Sequence, residues 1–492
     1  MRLEAAGGCG IGIPVLHSGS DLSQLRLLVA VASFGEKNAE YLRRVIERYR
    51  ALPMHVHVVV LSEAPKQLGA GVEARIGLPA RNPWSLPFAH KQIFAERIGL
   101  YDLFAFSEDD MDVTEANIQA FLQATSALAS DEIAGFLRFE TGPDGAWSLP
   151  EVHGSYHWRP ESVRARGPYT VAEFTNEHSG FFILTQAQLR QAIASGGFLR
   201  APHEGRYGLL ETAATDPYTS CGFRKVLCVS HMGEFFIHHM SNRYAGQLGL
   251  SLSAFKEQLE TLMQIGCGRH PATTLCRTES NMPRNRWSKS YYEQPCSEVL
   301  RLLPNRSKQV LSIGCGWGAT EAKLRERNVE VTALPLDSVI GPAAAKLGVE
   351  AVYGTLNECF ERLAGRTFDC VLITNLLHLL AQPWSLLEAC APLAKAEGSV
   401  VIAGPNFDFL KVWLRRAFAG AFRRKLRSFN QSGISVCGPS GAARHLSRLG
   451  FSGSRARWLS GLSAGGNRGI PRPLRRLAAR GWALHAWRSV AR

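Results

Sequence analysis

Apolar residues fall in short continuous blocks separated by stretches of helical period, the pattern of strand–helix–strand units in a largely parallel sheet. Leu25 to Ala32 is one such block, followed by Ser33-Phe34-Gly35 and an amphipathic stretch through Arg50; Val56 to Leu61 is the next. Asn82 to Phe88 reads as a loop, Ala89 to Ile98 as a helix and Leu103 to Phe106 as a buried strand. After a helix from Leu250 to Met263, residues 266–286 are rich in Gly, Pro, Thr, Arg and Asn and read as a linker. The pattern then restarts. A helix to Leu303 precedes strands at Gln309–Ile313, Val329–Leu334, Phe368–Thr374 and Ser399–Ala403, with a helix at Ala319–Arg327. The expectation is an α/β chain with two doubly wound domains, 22–250 and 288–460. A helix and linker over 251–287 join them, and a basic helical tail, 461–492, follows.

Length and composition agree with this division. A chain of 492 residues has room for two or three domains, and 46% hydrophobic with 20% charged residues is ordinary for a globular protein. No apolar run approaches the roughly 18 residues of a membrane-spanning helix, and the Gly-broken start, Met1 to Ser20, does not read as a signal peptide. Eleven cysteines without a C-x-x-C pair fit reduced thiols, and so a cytoplasmic setting, better than a disulfide or zinc framework.

Charge is uneven. Asp408 is the last acidic residue, and 409–492 carries 18 Lys and Arg, leaving 38 basic against 42 acidic residues before it. A nucleic-acid-binding body is therefore not expected, whereas a basic end is. Phe409 to Phe418 and Pro473 to Arg488, with Trp482 and Trp487, mix Arg with aromatic residues. Such faces suit peripheral contact with an anionic membrane, an acidic glycan or nucleic acid, or plain solvent.

The strand ending at Phe106 empties into Ser107-Glu108-Asp109-Asp110-Met111-Asp112, four carboxylates within five residues. Carboxylates at the C-terminal end of a strand lie where α/β sheets bind ligands. A divalent cation shared with a diphosphate would offset their repulsion; the alternative is an acidic first turn on the helix that follows. With Ser33-Phe34-Gly35 and the Leu-Pro-Phe-Ala-His-Lys segment, this region resembles the GT-A nucleotide-sugar glycosyltransferases. The resemblance implies Mn²⁺ or Mg²⁺ held against a nucleotide-sugar donor by an acidic pair. Glu108 and Asp110 fit best, with Asp109 and Asp112 open, and a late histidine, His239 or His238, completes the set. Glu177-His178-Ser179-Gly180 looks like the family's acceptor loop. Glu211, ahead of Glu204 and Asp216, is the candidate base toward an acceptor hydroxyl.

Gln309 to Gly318 runs a strand straight into Gly314-x-Gly316-x-Gly318, and a helix follows. Glycines there let the backbone turn tightly and approach a nucleotide-like ligand. Without a Lys-Ser/Thr ending, a P-loop is not indicated. With Phe368-Asp369-Cys370-Val371-Leu372, Gly398 to Ile402 and Gly450-Phe451, the segment Tyr291–Phe451 resembles the class I S-adenosylmethionine-dependent methyltransferases, a second Rossmann-like fold. By that resemblance Gly314, Gly316 and Gly318 line the cofactor. The ribose-binding acid expected after the second strand falls on Pro335, and Asp337 is its candidate replacement. The acid expected after the third strand falls on Thr355, with Glu358 nearby. The family's Glu-His after the fourth strand becomes His378-Leu379, which makes His378 a catalytic candidate. Together the halves imply a bifunctional enzyme. One site would move a sugar from a nucleotide-sugar to a glycan or lipid-linked acceptor, and the other would O-methylate the product, in polysaccharide synthesis. The rival is a methyltransferase carrying a non-catalytic glycan-binding module.

Overall fold

The computed structural model describes residues 22–409, 428–459 and 479–488, with isolated positions between 410 and 427. It divides into two compact units, Met1–Arg269 and His270–Arg492.

The first unit contains β1 (Arg26–Ala32), β2 (His55–Ser62), β3 (Glu73–Ile76), β4 (Leu103–Glu108), β5 (Met111–Asp112), β6 (Glu132–Ala134) and β7 (Leu137–Thr141). After these come β8 (Trp147–Leu149), β9 (Trp158–Arg166), β10 (Tyr169–Phe174), β11 (Phe181–Thr185), β12 (Arg224–Cys228), β13 (Phe236–His239) and β14 (Leu250–Ser251). Three sheets form, in the orders β11-β4-β1-β2-β3, β6-β12-β10-β9 and β14-β8-β7-β13-β5. The first is parallel except for β11. Its central strand, β1, is buried on both faces from Leu27 to Val31, which is why that block is continuously apolar rather than alternating.

β4 pairs with β1 so that Glu108 stands level with Ala32 at the strand's end. The chain then turns through Asp109-Asp110 and leaves for another sheet, where β5 runs antiparallel to β13 and sets Met111 opposite His239. The helix Glu115–Ala127 starts in a capping box between Thr114 and Asn117. From there Asn117 Nδ2 reaches the carbonyls of Glu234, at 2.7 Å, and Phe236, at 3.1 Å, and so ties β13 to the acidic turn.

The second unit is one sheet of β15 (Gln309–Cys315), β16 (Glu330–Pro335), β17 (Glu350–Ala351), β18 (Phe368–Thr374), β19 (Ala394–Pro405), β20 (Gly453–Leu459) and β21 (Gly481–Trp487). The order is β17-β16-β15-β18-β19-β21-β20, with β21 antiparallel to both neighbours. The order reverses at β15, so a crevice opens between the carboxyl ends of β15 and β18.

Two expectations change here. Residues 481–487 are not part of a helical tail but strand β21, because Trp482, Ala483, Leu484 and Ala486 fill the core. Trp482 is therefore a packing residue, not a membrane-facing one. Most of 410–427, and all of 460–478, lie outside the described residues, and with them most of the expected basic faces. Within the expected linker, Leu275 is buried, its amide bonded to the Leu336 carbonyl at 3.0 Å. Among the described residues no helix is long and apolar enough to cross a membrane.

Candidate functional site

In the first unit the acidic turn and the loop Glu177–Gly180 meet. Gly180 has φ +65°, and a Cβ there would lie 3.0 Å from Glu108 Oε2, so only glycine lets the loop come this close. His178 Nε2 stands 3.5 Å from Glu108 Oε1, and Arg138 Nη1 3.7 Å from Oε2. Burial disfavours the charge, but His178, Arg138 and His239 hold the Glu108 carboxyl down at about 2. Asp109 goes the other way. Its burial, reinforced by Asp110 and Glu108, pushes it up to about 6 despite the hydrogen bond that Asn38 Nδ2 donates to Oδ1 at 2.8 Å.

Asp110 Oδ2 and His239 Nε2 face each other at 3.0 Å, and His239 Nδ1 is fixed by Glu140 Oε1 at 2.5 Å. Burial alone would lower the imidazole, yet Asp110 and Glu140 raise it to about 9. A carboxylate behind a histidine is the usual support for a metal-binding imidazole. At these separations the imidazole is in direct contact with a carboxylate at each ring nitrogen. Among the described residues no group of three or more His, Cys, Asp or Glu is arranged to hold a metal ion.

Asp112 and His238 have other partners. Asp112 is drawn off by Arg48, with Nε 2.8 Å from Oδ1, and His238 bonds Asn242 Oδ1 at 3.1 Å while stacking on Phe139. Glu211 is half-buried on the first turn of the helix Leu209–Thr219, where its charge bears on Tyr156. Asp216 is sealed by Lys91, Ser220 and His203. Glu140 and Arg138 carry no local signal in the sequence. They alternate with Leu137 and Phe139, so their face of β7 reads as solvated, yet both are buried.

In the second unit Gly314 (φ +80°) and Gly318 (φ +90°) take conformations that favour glycine. A Cβ on Gly316 would stand 2.3 Å from the Tyr291 carbonyl oxygen, which accepts the Trp317 amide at 3.0 Å. Pro335 ends β16 beside Cys315. Asp337 Oδ1 accepts the amides of Val339 and Ile340, both at 2.8 Å, so this oxygen braces its own turn. Thr355 and Glu358 form the capping box of the helix Leu356–Arg362. His378 is buried with Nε2 2.6 Å from the Trp287 carbonyl, and Nδ1 has no hydrogen-bond partner. Burial lowers it to about 4, so it is neutral at pH 7 and a weak base.

At the crevice itself lie residues the sequence did not single out. Lys289 is buried, and its Nζ donates to Glu293 Oε2 at 2.7 Å and to the Thr374 carbonyl at 2.8 Å. Asn375 (φ +50°) donates from Nδ2 to Glu293 Oε1 at 2.9 Å, and the Trp317 indole donates to the Glu293 carbonyl at 2.6 Å. A nucleoside cofactor thus finds a fitting glycine loop and an anchored carboxylate, but no acid at the end of β16.

Comparison with known proteins bears on this unit. The family model described as "Methionine biosynthesis protein MetW" matches residues 294–426. The ubiquinone biosynthesis O-methyltransferase of Erwinia tasmaniensis is 29% identical over 120 residues, 23% of this chain and 48% of that protein. That of Azoarcus sp. is 31% identical over 107 residues, 21% of this chain and 46% of that protein. The chain thus spans about half the length of these curated relatives. Among solved structures, a SAM-dependent methyltransferase from Archaeoglobus fulgidus aligns with TM-score 0.30 and 17% identity, covering 39% of this chain and 92% of that one. N-methyltransferase NodS from Bradyrhizobium japonicum, in complex with S-adenosyl-L-homocysteine, aligns with TM-score 0.28 and 16% identity, covering 40% and 85%. The family and curated matches, with the strand order of the second unit, identify its fold as that of the class I SAM-dependent methyltransferases.

Proposed function

We propose that the second unit transfers a methyl group from S-adenosylmethionine to an acceptor hydroxyl. The observation that carries this is the glycine loop at the end of β15, opening onto the crevice where the strand order reverses. The cofactor supplies the methyl group as an electrophile on a sulfonium. The chain's part is to hold that group in line with an acceptor and to keep water out. His378, neutral at pH 7, is the proposed group near the acceptor. Titration calorimetry with S-adenosylmethionine and S-adenosylhomocysteine tests the reading; absence of heat at millimolar ligand would remove it.

A second reading concerns the first unit, and the facing of Asp110 and His239 before Glu140 favours it. Here the unit would move a sugar from a nucleotide-sugar onto a glycan or lipid-linked acceptor, and the two activities would act in sequence on one product, as steps of polysaccharide synthesis. Asp110 and His239, with Glu108 beside them, would hold Mn²⁺ or Mg²⁺. That ion would supply positive charge to the departing diphosphate, and Glu211 is the proposed base. A panel of nucleotide-sugars with Mn²⁺, followed by release of nucleoside diphosphate, tests this. Activity that survives Asp110→Ala would overturn the metal role. Sugar binding without release would favour a non-catalytic glycan-binding module.

A further inference from the structure

We propose that Glu293 receives the α-ammonium group of the methyl donor's amino-acid end, and that Lys289 and Asn375 are its positioning residues. The inference rests on the methyltransferase reading and deepens it. The sheet divides the crevice into two sides. On the β16 side, where an acid would take the ribose hydroxyls, stand Pro335 and the self-bonded turn of Asp337. On the β18 side stands Glu293, its carboxylate against Asn375 and its carbonyl against the Trp317 indole of the glycine loop. If the donor's ribose faces β16 and its sulfur the loop, its amino-acid end would extend toward β18. There it meets Glu293.

The hydrogen-bond inventory assigns the roles. Lys289 Nζ has three N–H groups and three acceptors: Glu293 Oε2, the Thr374 carbonyl at 2.8 Å and Thr374 Oγ1 at 3.3 Å. With its side chain 1% exposed it has no donor left for a ligand carboxylate. The Glu293 side chain is 28% exposed. Each of its oxygens accepts one hydrogen bond, so one lone pair on each stays open to a cationic donor. Lys289 also offsets the cost of holding a carboxylate in the crevice before the ligand arrives.

The test compares three ligands on the full chain by titration calorimetry. They are S-adenosylhomocysteine, its analogue lacking the α-amino group, and 5′-methylthioadenosine, which lacks the amino-acid end altogether. A charge-assisted hydrogen bond predicts that wild type binds the deamino analogue about 10- to 100-fold more weakly than S-adenosylhomocysteine. Glu293→Gln should shrink that gap to within about threefold while methylthioadenosine affinity holds. Lys289→Met should narrow it too, again without changing methylthioadenosine affinity, a selectivity shift that a purely structural lysine would not produce. Equal binding of the first two ligands to wild type overturns the inference, and this arm needs no variant to fold. So does a Glu293→Gln protein that weakens all three ligands alike. If wild type binds none of them, the methyltransferase reading falls, and the inference with it.

Discussion

Gly316→Ala separates a glycine needed by a ligand from one needed by the fold. The added Cβ would stand 2.3 Å from the Tyr291 carbonyl oxygen and 3.0 Å from its carbon, roughly 1 Å inside ordinary van der Waals contact. Both sides of this contact are backbone, so no rotamer relieves it. Overpacking of this kind costs about 1–3 kcal/mol. Moving Tyr291 away also strains the Trp317 N–H bond to the same oxygen, worth about 1 kcal/mol. The total is about 2–4 kcal/mol. For a unit of roughly 150–250 residues each kcal/mol lowers Tm by about 2–4 °C, which gives a fall of about 4–16 °C. Differential scanning calorimetry of ligand-free protein is the assay. If ligand-free Tm stays within about 1 °C of wild type while S-adenosylhomocysteine affinity drops, the glycine serves the ligand alone and the packing argument is wrong.

Other predictions follow from buried groups. Lys91→Met should cost about 3–5 kcal/mol in a urea melt by stranding Asp216, which is fully buried. Lys91→Met with Asp216→Leu should cost less than the sum of the singles; strict additivity would show the pair does not interact. His378 has its folded value depressed to about 4, below the roughly 6.5 of a free histidine. The unfolded chain therefore takes up the proton first as pH falls, and stability should drop by about 3 kcal/mol between pH 6.5 and 4. His378→Leu should remove that part of the slope, read from urea midpoints across the range. Trp482→Ala should destabilise by about 3–5 kcal/mol; a protein that keeps its stability but loses vesicle binding would restore the membrane-facing role.

What could be read from the chain and what could not divide on one physical line. β1, β4, β15 and β18 were legible because a strand buried on both faces must be apolar throughout, and their C-terminal ends then located both candidate sites. The carboxylates at Glu108–Asp110 and the glycines after β15 were legible for the same reason: the chemistry follows the strand directly. Glu140 was not, because charged residues alternating along a strand look alike whether they face water or a buried imidazole. Strand β21 reads as helix from sequence because a short, mostly apolar segment interrupted by His485 cannot choose between helix and strand by itself, and the flanking arginines make it look amphipathic. Lys289 and Glu293, four residues apart, resemble a pair on a helix surface, yet they lie in irregular chain before the helix Ser297–Leu300. A buried lysine is costly unless every donor is satisfied. Its acceptors on Thr374 are 85 residues away in sequence, so only the folded sheet could reveal them. Groups whose partners come from distant strands are the ones local pattern cannot reach, and in this protein they surround both candidate sites.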